Sequence, residues 1–262
     1  MLSLNGSKGN GDVCSISEVE EAKVLLKLVP IWATSLAYAI AFAQSSTLFT
    51  KQGVTMDRSL RSTFKIPSAS LQAFTSLTVV ILVPIYDRVF VPITRAITRK
   101  PSGIKMLQRI GTGMALSIIS MLVAALTETK RLETARASGL VDEPEATVPM
   151  SFWWLVPQYV LVGVSNVFTL VGLQEFLYDQ VPRELKSLGL ALYLSILGSG
   201  SFLSSILISI IDNTTDADGQ DGWFSDNLNT GHLDYFYWLL AGISAVALAA
   251  YLFFAKSYIY NR

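Results

Sequence analysis

The chain alternates between long apolar runs and short polar ones. Apolar stretches run over residues 24–49, 69–91, 107–126, 152–178, 188–211 and 235–254. Each is long enough to cross a hydrocarbon core, which takes about 20 residues as a helix. In lipid only a helix or a closed barrel satisfies its own backbone, and continuous apolar runs of this length are helical rather than alternating. The pattern predicts an all-α integral membrane protein with six transmembrane helices. Residues 1–23 form a polar, Gly/Asn/Ser-rich head ending in EVEEAK, and residues 259–262 a short tail. The head lacks the apolar segment of a secretory signal, so the first span is expected to serve as the targeting signal.

The fourth run carries unusual polarity for its depth. Between Phe152 and Pro182 it holds Pro157, Gly163, Ser165, Asn166, Gly172, Gln174 and Glu175. An amide or carboxylate facing lipid is costly, whereas one lining a polar cavity is not, and prolines are tolerated there. The first run repeats this design with Pro30 early and Gln44 and Ser46 late. Interrupted spans at matching places in two triplets of helices mark the solute site of many carriers. Spans one, two, four and five are therefore expected to line a pathway, with the blander spans three and six supporting from outside. The GSGS run at 198–201 fits either lining or close helix packing. Asn166 and Glu175 are nine residues apart, about half a turn out of phase at roughly 100° per residue. Asn166 is assigned to the solute-facing wall, near mid-bilayer. Glu175 is assigned to an inner gate or an interhelical pair.

Composition narrows the class further. The chain is 51% hydrophobic and 15% charged with net charge zero, against about a quarter charged in soluble domains; a nucleic-acid partner is excluded. Cys14 is the sole cysteine, so no intrachain disulfide can form. Lys and Arg concentrate in the 88–109 connection, while the 212–232 connection holds five aspartates and no Lys or Arg. The positive-inside rule then places the N-terminus in the cytosol, with Lys51, Arg58, Arg61 and Lys65 as exceptions. Asn213-Thr214-Thr215 forms a glycosylation sequon near the membrane edge. The one histidine, His232, lies in an outside loop as a surface residue. An intramembrane enzyme would need paired catalytic groups at one depth, and the spans offer none. No metal or organic cofactor is expected.

Several segments carry a resemblance. VEEAKVLLKLVPIW (19–32), YDRVFVPITR (86–95), LQRIG (107–111), PQYVLVG (157–163), GLQEFLYDQVP (172–182) and NLNTGHLDYFYWLLA (227–241) resemble the plant nitrate/peptide transporter family. That family is the plant branch of the proton-dependent oligopeptide transporters, within the major facilitator superfamily. The matches run in order over nearly all of residues 17–258.

The resemblance implies a proton-coupled symporter of nitrate, peptides or a related small organic solute, built from twelve spans in two bundles, with a proton as coupling ion. The six spans resemble the C-terminal bundle, and the N-terminal six-helix bundle with its glutamate-rich coupling motif is missing. Phe42 stands where nitrate-binding members carry histidine, Asn166 where peptide carriers carry glutamate, and Ser201 where some relatives carry a bulky aromatic. Ser46 is the remaining matched pocket position. These residues and Gln44 form the expected substrate site, suited to a larger or less charged solute. Asp87 and Arg88 resemble the superfamily's loop motif, and are expected to serve a gate or packing; Asp87, at a helix C-terminal end, calls for a local Arg partner. A half-carrier should be inactive alone. The alternative is a truncated interaction or regulatory protein that pairs with full-length relatives. The expected setting is the plasma membrane or the vacuolar membrane.

Overall fold

The computed structural model describes residues 16–61, 64–90, 92–93, 106–215 and 222–258. The first fifteen residues of the head, Arg95, Arg99, Lys100 and Lys105 of the basic connection, Asp216, Asp218, Asp221 and the tail lie outside the described residues. Among the described residues six helical spans are long and apolar enough to cross a membrane, built on α1 (Ile16–Ala43), α3 (Gln72–Ile85, extended by its flanking turns to a span of Ser68–Phe90), α4 (Met106–Ala137), α5 (Val156–Asp179), α6 (Lys186–Thr215) and α7 (Leu233–Ser257). A short α2 (Leu48–Val54) continues the first span after a turn. The end where α1 starts and α7 finishes is called the base here, and the opposite end the cap.

Pro30 sits inside α1 without ending it. The donor it lacks is followed by local back-bonding: the Thr34 hydroxyl donates to the Pro30 carbonyl and the Ser35 hydroxyl to that of Ile31. Pro84 lies near the end of α3, and the chain then runs as a π-turn over Tyr86–Phe90. The cap holds small strands that a purely helical reading did not anticipate. β1 (Met56–Asp57) pairs in parallel with β4 (Val148–Ser151), and β2 (Ser59–Arg61) pairs antiparallel with β3 (Phe64–Lys65).

Helix α4 lies between α5 and α7; α1 closes onto α6 and α7, α6 returns to α5, and α3 rests on the flank of α5. Of their apolar windows, 61% of α5 and 56% of α4 are buried, against 22% of α6 and α7 and 6% of α3. Within these six helices the third span is thus a central one, packed between α5 and α7. Lipid tails are as apolar as leucine, so hydropathy does not distinguish a helix-facing surface from a lipid-facing one. Glycine settles the matter. A Cβ on Gly113 would lie 2.6 Å from the Thr169 backbone nitrogen, so α4 approaches α5 where no larger residue fits. At the α1–α6 crossing a Cβ on Gly200 would lie 3.0 Å from the Ala39 carbonyl carbon, whereas Gly198 faces open space. The GSGS run thus packs at one glycine and is free at the other.

Helix α4 has 32 residues, about 48 Å at 1.5 Å per residue, well over a hydrocarbon core of about 30 Å. It continues past Leu126 because its last turns are themselves buried under the cap. Glu128 and Arg131 are fully buried there. The Arg131 guanidinium donates to both Glu128 carboxylate oxygens (2.6 and 2.9 Å), to Asn229 Oδ1 (2.8 Å) and to the Leu228 carbonyl (2.6 Å). Asn229 Nδ2 in turn donates to the Leu140 and Glu143 carbonyls. One buried ion pair thereby ties the end of α4 to two cap loops. Asn213 lies in the last turns of α6, its amide donating to the Ser209 carbonyl.

Candidate solute-facing wall

Two apolar cores divide the bundle. The cap core gathers Phe49, Met121, Phe152, Tyr159, Phe236 and Tyr237; the base core gathers Leu28, Ile31, Ile110, Leu173, Phe176 and Tyr251. Phe42 packs partly buried against both, which puts it at mid-height.

Tyr38, one turn before Phe42 on α1, organises this level. Its hydroxyl donates to Asn166 Oδ1 of α5 at 2.6 Å, and its ring stacks on Phe42 with centroids 6.4 Å apart and planes 7° apart. The structure therefore brings two of the expected residues, Phe42 and Asn166, onto one aromatic neighbour. Asn166 is half-buried; with its oxygen engaged, its N–H groups have no partner among the described residues, and they can donate to an oxygen-bearing solute. Tyr38, Phe42, Ser117 and Ser165 help line a cavity of about 10 Å³, room for about one water. Behind Asn166, the Ser165 hydroxyl donates to the Gly113 carbonyl at 2.7 Å, which fixes the rotation of α5 against α4.

The other expected wall residues are placed differently. Gln44 is fully buried; its Nε2 donates to the Ile40 carbonyl (2.9 Å) and to Ser204 Oγ of α6 (2.8 Å). It is a helix-to-helix bond with no face left for solute in this conformation. Apolar packing around it makes that bond the way its amide is satisfied. A second α1–α6 bond runs from the Trp32 indole N–H to Ser195 Oγ at 2.8 Å. Ser46 is exposed, and its hydroxyl donates to the Ala43 carbonyl. Ser201 is exposed on α6 beside the Gly200–Ala39 crossing, and its hydroxyl donates to the Leu197 carbonyl.

At the base, Glu175 forms an interhelical pair: Arg109 Nη1 of α4 lies 3.1 Å from its Oε2. The same guanidinium donates to the Val167 carbonyl (3.0 Å) and sits 4.2 Å over the Tyr86 ring. Arg109 thus joins the end of α3 to α4 and α5. Asp87 and Arg88 follow Tyr86 directly, yet both are exposed and no ion pair joins them. Among the described residues the arginine that locks this corner is Arg109, and Arg95 and Arg99 of the same connection lie outside the described residues. His232, near the surface of the cap, has Nδ1 3.7 Å from Asp234 Oδ1 and stacks on Tyr235.

Sequence reasoning missed Tyr38, Arg109 as the partner of Glu175, and the Glu128–Arg131 pair. Arg109 carried a readable signal, being the first charge inside the third span with a lone deep carboxylate elsewhere. Tyr38 carried none beyond its spacing of one turn from Phe42.

Six apolar helices in this arrangement make a multi-pass membrane protein, and the fold is that of a six-helix half of a major facilitator transporter. A crystal structure of an auto-inhibited POT family peptide transporter matches with a TM-score of 0.73 at 20% identity, over 94% of this chain and 43% of that one. The in meso crystal structure of the POT family transporter PepTSo matches with a TM-score of 0.68, over 94% and 44%. The sequence model of the POT family matches residues 3–224, and the chain belongs to that family. Among curated relatives from Arabidopsis thaliana, the protein NRT1/ PTR FAMILY 5.10 is 62% identical over 262 residues, which is all of this chain and 46% of the relative. NRT1/ PTR FAMILY 5.12 is 63% identical over 248 residues, 95% of this chain and 45% of the relative. The chain spans about half the length of the curated relatives it matches.

Proposed function

We propose that these six helices are the C-terminal half of a proton-coupled symporter of nitrate, peptides or a related small organic solute, and that they do not transport alone. The observation that supports this reading is that the chain matches POT family transporters along its length while spanning about half of theirs. Helix α3 leaves Leu77, Val80 and Ile81 more than half exposed, and α6 does the same with Leu194, Phe202 and Ile210. A second six-helix bundle on those two helices would place the Phe42–Asn166 wall opposite its own, and alternating access would rock one half against the other. The half-exposed amide of Asn166 and the Phe42 ring suit a solute with hydrogen-bond acceptors and some apolar surface.

The proton is assigned to the other half. The carboxylates Glu128 of α4 and Glu175 of α5 are each engaged by an arginine of this half. The N-terminus is assigned to the cytosol and the protein to the plasma or vacuolar membrane. Co-expression with the first half of a close relative, followed by uptake at acidic and neutral external pH, tests the reading. Uptake is expected only with both halves and a proton gradient. Uptake by this chain alone refutes it, and suppression of a full-length relative without uptake favours the regulatory alternative.

A further inference from the structure

At the base, α1 and α7 leave between them a groove of about 250 Å³ lined by Lys27, Pro30, Ile31, Phe254, Ser257 and Tyr258. We propose that this groove binds an anionic phospholipid, its phosphate held by lysines at the rim and its first acyl carbons laid along the apolar wall. The inference rests on membrane embedding and on local charge, and is independent of the transport reading.

The wall and the rim differ in chemistry in the way a lipid does. Pro30, Phe254 and the buried edge of Ile31 supply the apolar wall of the groove. Beside them Leu26, Val29 and Phe253 are exposed by 67%, 47% and 68%, so the groove opens onto an apolar surface of the kind lipid tails cover. One turn towards the head, Lys27 lines the groove, and Lys23 follows at a spacing of four on the same helix face. Lys256 lies at the matching level of α7, next to Ser257. All three lysines are exposed, and a long stem lets each ammonium reach the headgroup layer. Basic pockets between helices at a membrane surface attract acidic headgroups. Tyr258 fixes the floor: its ring packs against Phe176 with centroids 5.2 Å apart, and its hydroxyl donates to Gln180 Oε1.

The test is native mass spectrometry of the full 262-residue chain in detergent with equal amounts of palmitoyl-oleoyl phosphatidylglycerol and phosphatidylcholine. Retention of the glycerol lipid is expected to exceed that of the choline lipid roughly tenfold. In Lys23→Ala/Lys27→Ala the ratio should fall close to one, while Lys51→Ala at the cap leaves it unchanged. These exposed substitutions spare the packed core, so loss of folding does not confuse the readout. Millimolar inorganic phosphate should not displace the lipid; if it does, the site recognises free phosphate and the proposal fails. Equal retention of both lipids overturns it, as does preference unaltered in the double variant. A spectrum dominated by a lipid-free dimer also overturns it, and gives the groove to a second copy.

Discussion

The buried pair at the cap offers the sharpest test of how this bundle holds together. Arg131→Met keeps the stem and removes the guanidinium, and with it the two bonds to Glu128 and those to Asn229 and Leu228. Both charged side chains are fully buried, so Glu128 would be stranded as an uncompensated charge, at a cost of about 3–5 kcal/mol. For a chain of this size each kcal/mol shifts the midpoint by about 2–4 °C, so the melting temperature should fall by roughly 6–20 °C. Glu128→Gln/Arg131→Met removes both charges together. It should recover about half of that loss or more, because desolvating the pair already costs much of what their attraction returns. Melting followed by size-exclusion chromatography of the detergent-solubilised chain measures both variants against the parent. The Asn229 bonds to Leu140 and Glu143 predict that hydrogen exchange in residues 140–143 and 222–232 accelerates first in the single variant. A loss under about 1 kcal/mol in Arg131→Met, or a double variant as unstable as the single, would refute the reasoning.

The base corner should respond asymmetrically. Glu175 is 47% exposed, so Glu175→Gln should cost under about 1 kcal/mol. Arg109→Met also loses a charged bond to Val167 and the stacking on Tyr86, and should cost about 2–4 kcal/mol; the reverse order in thermal melts would contradict the assignment. Gly113→Ala drives a methyl into Thr169 and should destabilise by at least about 1–3 kcal/mol, while Gly198→Ala, with open space around it, should melt like the parent chain. In the two-half carrier, Tyr38→Phe should shift KM several-fold by releasing Asn166 while costing about 1 kcal/mol of stability. Gln44→Leu should leave KM unchanged and lower the melting point; a KM effect equal to that of Tyr38→Phe would return Gln44 to the wall.

Some of the site was legible before the fold. Asn166 stood out because an amide is unusual at its depth, whereas Phe42 was marked only by the family resemblance; the two residues meet around Tyr38. Gln44 shared the same signal and proved to be buried against Ser204. An amide in an apolar run says that a partner exists, and says nothing of whether that partner is a solute or another helix. Asp87 and Arg88 illustrate the converse. They were marked by resemblance to a loop motif, and the π-helical turn at Tyr86–Phe90 leaves both exposed.

The amino-acid sequence by itself determined that the chain enters a membrane, where it does so six times, and which positions break the apolar runs. Transfer of a side chain from water to lipid is a local property, additive along a helix, so it is readable one window at a time. Only the tertiary structure decided that the third span is central, that Arg109 answers Glu175 across 66 residues, and that Gln44 answers Ser204 across 160. Those outcomes depend on which helix faces which, set by close approach at glycines and by the pairing of buried polar groups, and neither is encoded within reach of a single turn.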